Sequence, residues 1–140
     1  MHDIEKQVLV EKIFQDIWKL YAIGSIFETQ IEHSNIMIPK LKCICKGIGA
    51  AGTYYPGSKT VEINTAYYNG GATVNLETTI AHEIAHHITN GIFPHATQWH
   101  GPEFRMVMQS IGYDGNTYHS MSRQRAKKVA QRSKDELFDL

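Results

Sequence analysis

The stretch Leu76–Asn90 constrains the fold of this chain more than any other. Ile80, Ala81, Ile84, Ala85 and Ile88 recur at the spacing of one helical face. A helix with such a stripe has to lie against a core. Asn75 stands before the run as a candidate N-cap, and Gly91 stands after it as a candidate C′ residue. The same helix carries His82-Glu83-Ile84-Ala85-His86. Residues four apart lie one turn apart on one face, so His82 and His86 can approach a single ion together. Two imidazoles so placed suit tetrahedral zinc at about 2.0–2.1 Å. Glu83 is rotated about 100° from His82, beside such an ion rather than on it. A carboxylate there can take a proton from water and return it to a leaving amine. The H-E-x-x-H spacing therefore states a mechanism as well as a pattern.

A catalytic zinc needs a third protein ligand and keeps its fourth position open. One known spacing places glycine three residues after the second histidine and another histidine three beyond that. Thr89 and Ile92 stand there instead. The remaining candidates are His87, His95, His100 and Glu103. His87 follows His86 directly and points about 100° away. His95 falls in the middle of a loop. His100 is best placed, because Gly101-Pro102 mark the entry of a new helix running to about Ile111. Phe104, Val107, Met108 and Ile111 form its inward face. Glu103 is the alternative ligand.

The rest of the chain reads as a small α+β domain. Residues 3–22 show a helical stripe of Ile4, Val8, Leu9, Ile13, Ile17 and Leu20, with Asp3 as N-cap and Gly24 as terminator. From Ile31 to Ile63 short strands are expected. Ile36-Met37-Ile38 and Leu41, Cys43 and Cys45 form the first of these, followed by a hairpin. Thr53-Tyr54-Tyr55 and Thr60–Asn64 flank its turn, Pro56-Gly57-Ser58-Lys59. Val61 and Ile63 should face inward and Glu62 outward. Asn69-Gly70-Gly71 marks a loop.

The 140 residues make one ordinary domain, 1–140, large enough for a core without disulfides. Fourteen basic and fourteen acidic side chains cancel, so no global attraction to nucleic acid or membrane follows. The two cysteines, Cys43 and Cys45, would point to opposite faces of a strand and read as reduced thiols. Neither a signal peptide nor a membrane span is visible, which places the chain in the cytoplasm of its own cell or of a host. The tail, 120–138, reads as a basic helix with Arg123, Arg125, Lys127, Lys128, Arg132 and Lys134. It is either a solvated face or a contact to DNA phosphates. Tyr54, Tyr55, Tyr67 and Tyr68 would line a hairpin or substrate groove, or stack on bases.

His82-Glu83-x-x-His86 followed by His100-Gly101-Pro102-Glu103-Phe104 resembles the SprT-like metallopeptidase family, which includes the Spartan proteases. The pattern shared is H-E-x-x-H and then H-G-x-x-F in the next helix, over roughly Leu41–Gly112. The resemblance implies a zincin-like minimal protease fold: an N-terminal helix, a small antiparallel-containing sheet, the motif helix and following helices. It implies zinc bound by His82, His86 and His100, Glu83 as catalytic base, and Phe104 as a packing aromatic. It implies a protein or peptide substrate, with DNA-associated proteins as one class. Many members also carry a C-terminal zinc ribbon with paired C-x-x-C motifs. This chain has none, so the resemblance is to the protease core. Tyr118, His119 and Arg105 are chemically suited to stabilise an oxyanion. Two other readings compete: a hydrolase of a different amide, and a non-catalytic binding module that keeps the metal for structure. A base at position 83 argues against the second, since a structural site has no use for one.

Overall fold

The computed structural model describes residues 3–68 and 73–113. Helix α1 (Asp3–Gly24) and the short α2 (Glu28–His33) precede three strands, β1 (Lys40–Ile44), β2 (Gly52–Tyr55) and β3 (Thr60–Asn64). Helices α3 (Thr73–Ile92) and α4 (Pro102–Gln109) follow. The fold is α+β, as expected. The basic segment 120–138 and the Asn69-Gly70-Gly71 loop lie outside the described residues. Among the described residues no helix is long and apolar enough to cross a membrane.

β3 is the middle strand of a mixed sheet ordered β1-β3-β2. It pairs in parallel with β1, Leu41 opposite Val61, and antiparallel with β2, Tyr54 opposite Val61. Central position and burial go together: Val61 and Ile63 are fully buried, and Glu62 faces outward. The hairpin turn closes with Lys59 in the left-handed region at φ 53°. Asn64 ends β3 and is buried. Its Oδ1 accepts from the Lys46 and Ala66 amides, and its Nδ2 donates to the Lys46 carbonyl. One side chain thus satisfies the backbone of the loop between β1 and β2 where sheet hydrogen bonds stop.

The helices cover one face of the sheet. α3 brings Ile80, Ala81, Ile84, Ala85 and Ile88 into the core, all fully buried as their spacing predicts. It begins at Thr73 and ends at Ile92, so Asn75 and Gly91 lie inside it rather than capping it. Gly91 has another purpose. A Cβ there would sit 2.5 Å from Ile36 Cδ1, so the missing side chain lets the 34–39 segment cross the helix.

α1 corrects its predicted stripe. Val10, Ile13, Phe14, Ile17 and Tyr21 are buried, whereas Ile4, Val8 and Leu20 are 75%, 62% and 51% exposed. Apolar residues occur around most of this helix, so spacing alone allows two overlapping faces. Packing selects the one bearing the two aromatic rings, which bury the most area. The buried Tyr21 hydroxyl donates to the Ala81 carbonyl at 3.1 Å and lies 3.6 Å from Met108 Sδ, tying α1 to both α3 and α4.

The predicted strand at Ile36-Met37-Ile38 is absent: that segment joins no strand, and β1 starts at Lys40. Ile31 belongs to α2 rather than to a strand. One apolar residue in a six-residue helix leaves no periodicity to detect. Both cysteines are free, and Cys45 lies just beyond β1.

Candidate metal centre

His82 and His86 project from α3 one turn apart, and His100 arrives from the loop that leads into α4. Their Nε2 atoms form a triangle with sides of 3.1 Å (82–100), 3.1 Å (86–100) and 3.2 Å (82–86). Hydrogen bonding cannot satisfy this triangle. A neutral ring nitrogen is either donor or acceptor, so among three mutually facing atoms at least two are of the same kind. A shared cation removes the conflict. Ligands about 2.05 Å from one tetrahedral ion stand about 3.3 Å apart, close to the observed sides. The donor set therefore fits a metal ion, and these three residues form a group that could hold one. Burial lowers the pKa of His100, which favours the neutral, ligating form of its ring.

Aromatic rings fix the imidazoles in place. Phe104 is fully buried, with ring centroids 4.8 Å from His82, 4.4 Å from His86 and 5.1 Å from His100. Trp99 lies 4.1 Å from the His86 ring and nearly parallel to it, at 14°. Trp99 is half-exposed, and its adjacency to His100 was the one sequence signal of this role. Pro102 at the first position of α4 and Gly101 at its N-cap turn the chain sharply after His100. Gly101 is buried, and a Cβ on it would meet Gln98 Cβ at 3.0 Å.

Glu83 is 3% exposed on the α3 surface that faces β2. Burial pushes its carboxyl pKa from 4.5 up to about 8. A cation beside it would act in the opposite direction, favouring the carboxylate. Gly52 covers this side chain. A Cβ at Gly52 would lie 2.4 Å from Thr79 Cγ2 and 3.2 Å from both Cγ and Oε2 of Glu83. Glycine at 52 is thus the condition for β2 to lie directly on the motif helix. The sequence shows this glycine only as a break between strands. Tyr68 is buried nearby. Burial raises its pKa to about 12, and the Glu83 charge adds to the rise.

The other candidates go elsewhere. His87 Nε2 lies 2.7 Å from the Met37 carbonyl, which can only accept, so that nitrogen carries the proton. Its Nδ1 accepts from the Tyr54 hydroxyl at 2.7 Å. Burial lowers the His87 pKa, Lys59 adds to the effect and the Met37 carbonyl opposes it. His95 is exposed, and Glu103 is half-buried beside Gly101 rather than in the triangle. Arg105 is exposed on α4, while Tyr118 and His119 fall outside the described residues. Of the four tyrosines, Tyr54 and Tyr68 are buried. Tyr55 donates to Glu62, and Tyr67 donates to the Gly49 carbonyl.

An α+β domain with a buried helix presenting two histidines to a third from the next helix entry has a zincin-like core. The SprT-like family model matches residues 12–125, and the chain belongs to that family. The match extends beyond the motif region to take in most of α1. No curated protein and no solved structure gives a significant match.

Proposed function

We propose that the chain is a zinc-dependent peptidase, with His82, His86 and His100 as metal ligands and Glu83 as general base. The convergence of the three Nε2 atoms carries this reading. Zinc held there would acidify water and polarise a peptide carbonyl. Glu83 would accept a proton from the water on a carboxylate oxygen as the water oxygen bonds to the carbonyl carbon, and would deliver it to the amide nitrogen as the C–N bond breaks. Its enclosure by Gly52 and Thr79 keeps the carboxylate from competing solvent and fixes its direction. β2 supports peptide binding. Among the described residues it is an outer strand of the sheet, and at Gly52 it lies against Glu83 of α3, so an extended peptide would pair with its outer edge. We read 1–140 as a single metallopeptidase domain acting in the cytoplasm. Proteins bound to DNA are a substrate class that the basic residues Arg123–Lys134 would serve; loss of salt-dependent DNA binding on neutralising them tests that part.

The experiment is a zinc determination paired with an unstructured protein substrate. Wild type should hold one zinc per chain and cleave; Glu83→Gln should hold the zinc and not cleave. Equal cleavage by the two proteins would remove Glu83 from the mechanism. A zinc-loaded wild type inert on unstructured proteins, with and without DNA, would favour a binding module instead.

A further inference from the structure

A cavity of about 500 Å³ is lined by Tyr54 and His87 and by none of the three histidines of the metal centre. The 34–40 segment, the β2–β3 turn and the last turns of α3 enclose it. Tyr54 and His87 connect it to the metal centre through neighbouring rings. The Tyr54 ring lies 5.5 Å from His87 and 6.5 Å from Trp99, and Trp99 covers His86. Ile36 and Met37 supply apolar surface, and the cavity is of the size that takes small ligands or side chains.

Its charge is one-sided. Lys40 and Lys59 line it, and among the described residues no aspartate or glutamate does. The two lysines are tied together by the bond from the Lys40 amide to the Lys59 carbonyl at 2.9 Å. Lys42, on the same strand as Lys40, has Glu62 at 3.8 Å. Neither Lys40 nor Lys59 has a carboxylate at ion-pair distance among the described residues. His87 is neutral in this arrangement, its Nε2 donating to the Met37 carbonyl and its Nδ1 accepting from the Tyr54 hydroxyl.

We propose that this cavity is a specificity subsite for an acidic side chain, aspartate or glutamate, of the peptide bound at the metal centre. The inference rests on the peptidase reading above. A peptide added to the edge of β2 passes Gly52 at Glu83, then Tyr54, and reaches the turn that borders the cavity. At about 3.3 Å per residue the acidic side chain stands three or four positions to one side of the scissile bond. A peptide suits the site better than a nucleic-acid backbone. The cavity is concave and partly apolar, and the β2–β3 turn that lines it follows directly on β2.

The test uses the zinc-loaded full chain and fluorogenic peptides that differ only by Glu or Gln at each position from two to five residues on either side of the bond. Glu at one such position should raise kcat/KM about fivefold, mainly through KM. A Lys40→Gln/Lys59→Gln variant should lose that preference and keep its activity on the Gln peptide within twofold. Direct binding of the same peptides to zinc-loaded Glu83→Gln, with the same fivefold difference expected, separates the two readings. If wild type cleaves none of them, the peptidase assignment fails, and the binding arm still decides the subsite. Equal binding of Glu and Gln peptides overturns the proposal. So does a preference that survives in the double variant, or a lysine-dependent affinity for a short oligonucleotide with none for the acidic peptides.

Discussion

Replacing Glu83 by Gln should stabilise the metal-free protein, and by an amount that depends on pH. The carboxyl is 3% exposed, and burial moves its pKa from 4.5 to about 8. Between those values the folded chain holds a proton that the unfolded chain releases. Stability therefore falls as pH rises through that window, by about 1.4 kcal/mol per pH unit. At pH 7 the accumulated cost is about 3 kcal/mol, and glutamine, uncharged and of the same shape, does not incur it. A buried amide without partners for its own hydrogens adds a constant offset of about 1–3 kcal/mol against the variant. The diagnostic quantity is thus the slope of the difference, in which the histidines common to both proteins cancel. Urea unfolding of both proteins in chelator, at pH 5, 6, 7 and 8, gives that slope if the m-values agree. The variant should gain on wild type steadily from pH 5 to pH 8. A difference that is flat across the range would show that position 83 is not the desolvated carboxyl described, and the argument from burial would fail. With zinc bound the gain should shrink, because the cation favours the carboxylate that burial opposes.

His100→Ala should lower bound zinc from one per chain to well below that at micromolar metal, measured by elemental analysis after gel filtration. The same change at His95, which is exposed, should leave zinc content unaltered. Gly52→Ala has to move Thr79 or Glu83, since the new Cβ would stand 2.4 Å from Thr79 Cγ2. It should cost about 1–3 kcal/mol in thermal or urea unfolding. It should also lower kcat about tenfold or more with zinc retained, because small misplacements of a catalytic group are expensive. Adding Thr79→Ser should recover stability but not kcat, as the Glu83 contacts remain at 3.2 Å. Tyr21→Phe removes the hydroxyl that donates to the Ala81 carbonyl and should cost about 1 kcal/mol in urea unfolding, without change in zinc content.

Helix α3 was legible from the sequence because its evidence is local. The apolar spacing and the two histidines four apart depend on nothing beyond helical geometry, and Ile80 to Ile88 are buried as the spacing requires. The hairpin was legible for the same reason: Pro56-Gly57-Ser58-Lys59 turns, and Val61 and Ile63 alternate into the core. His100 was reached through the helix-start signal of Gly101-Pro102. The structure then brings its ring to the other two.

What local pattern could not decide was which surfaces meet. α1 has apolar residues enough for two faces, and the burial of Phe14 and Tyr21, with the Tyr21 hydroxyl against Ala81 of α3 and Met108 of α4, selects one. Gly91 reads equally well as a helix cap or as a site of close approach, and only the position of Ile36 distinguishes them. Gly52 carries no side chain to read, and its importance lies in the Thr79 and Glu83 atoms that fill the space. His87 carries the same chemistry as its neighbour His86. A rotation of about 100° sends one to the metal centre and the other to Tyr54 and Met37. The spacing of His82 and His86 and the place of Glu83 between them are thus set by helical period within one element. The arrival of His100, the enclosure of Glu83 and the cavity near Tyr54 are through-space contacts between elements far apart in the chain, and those only the tertiary fold determines.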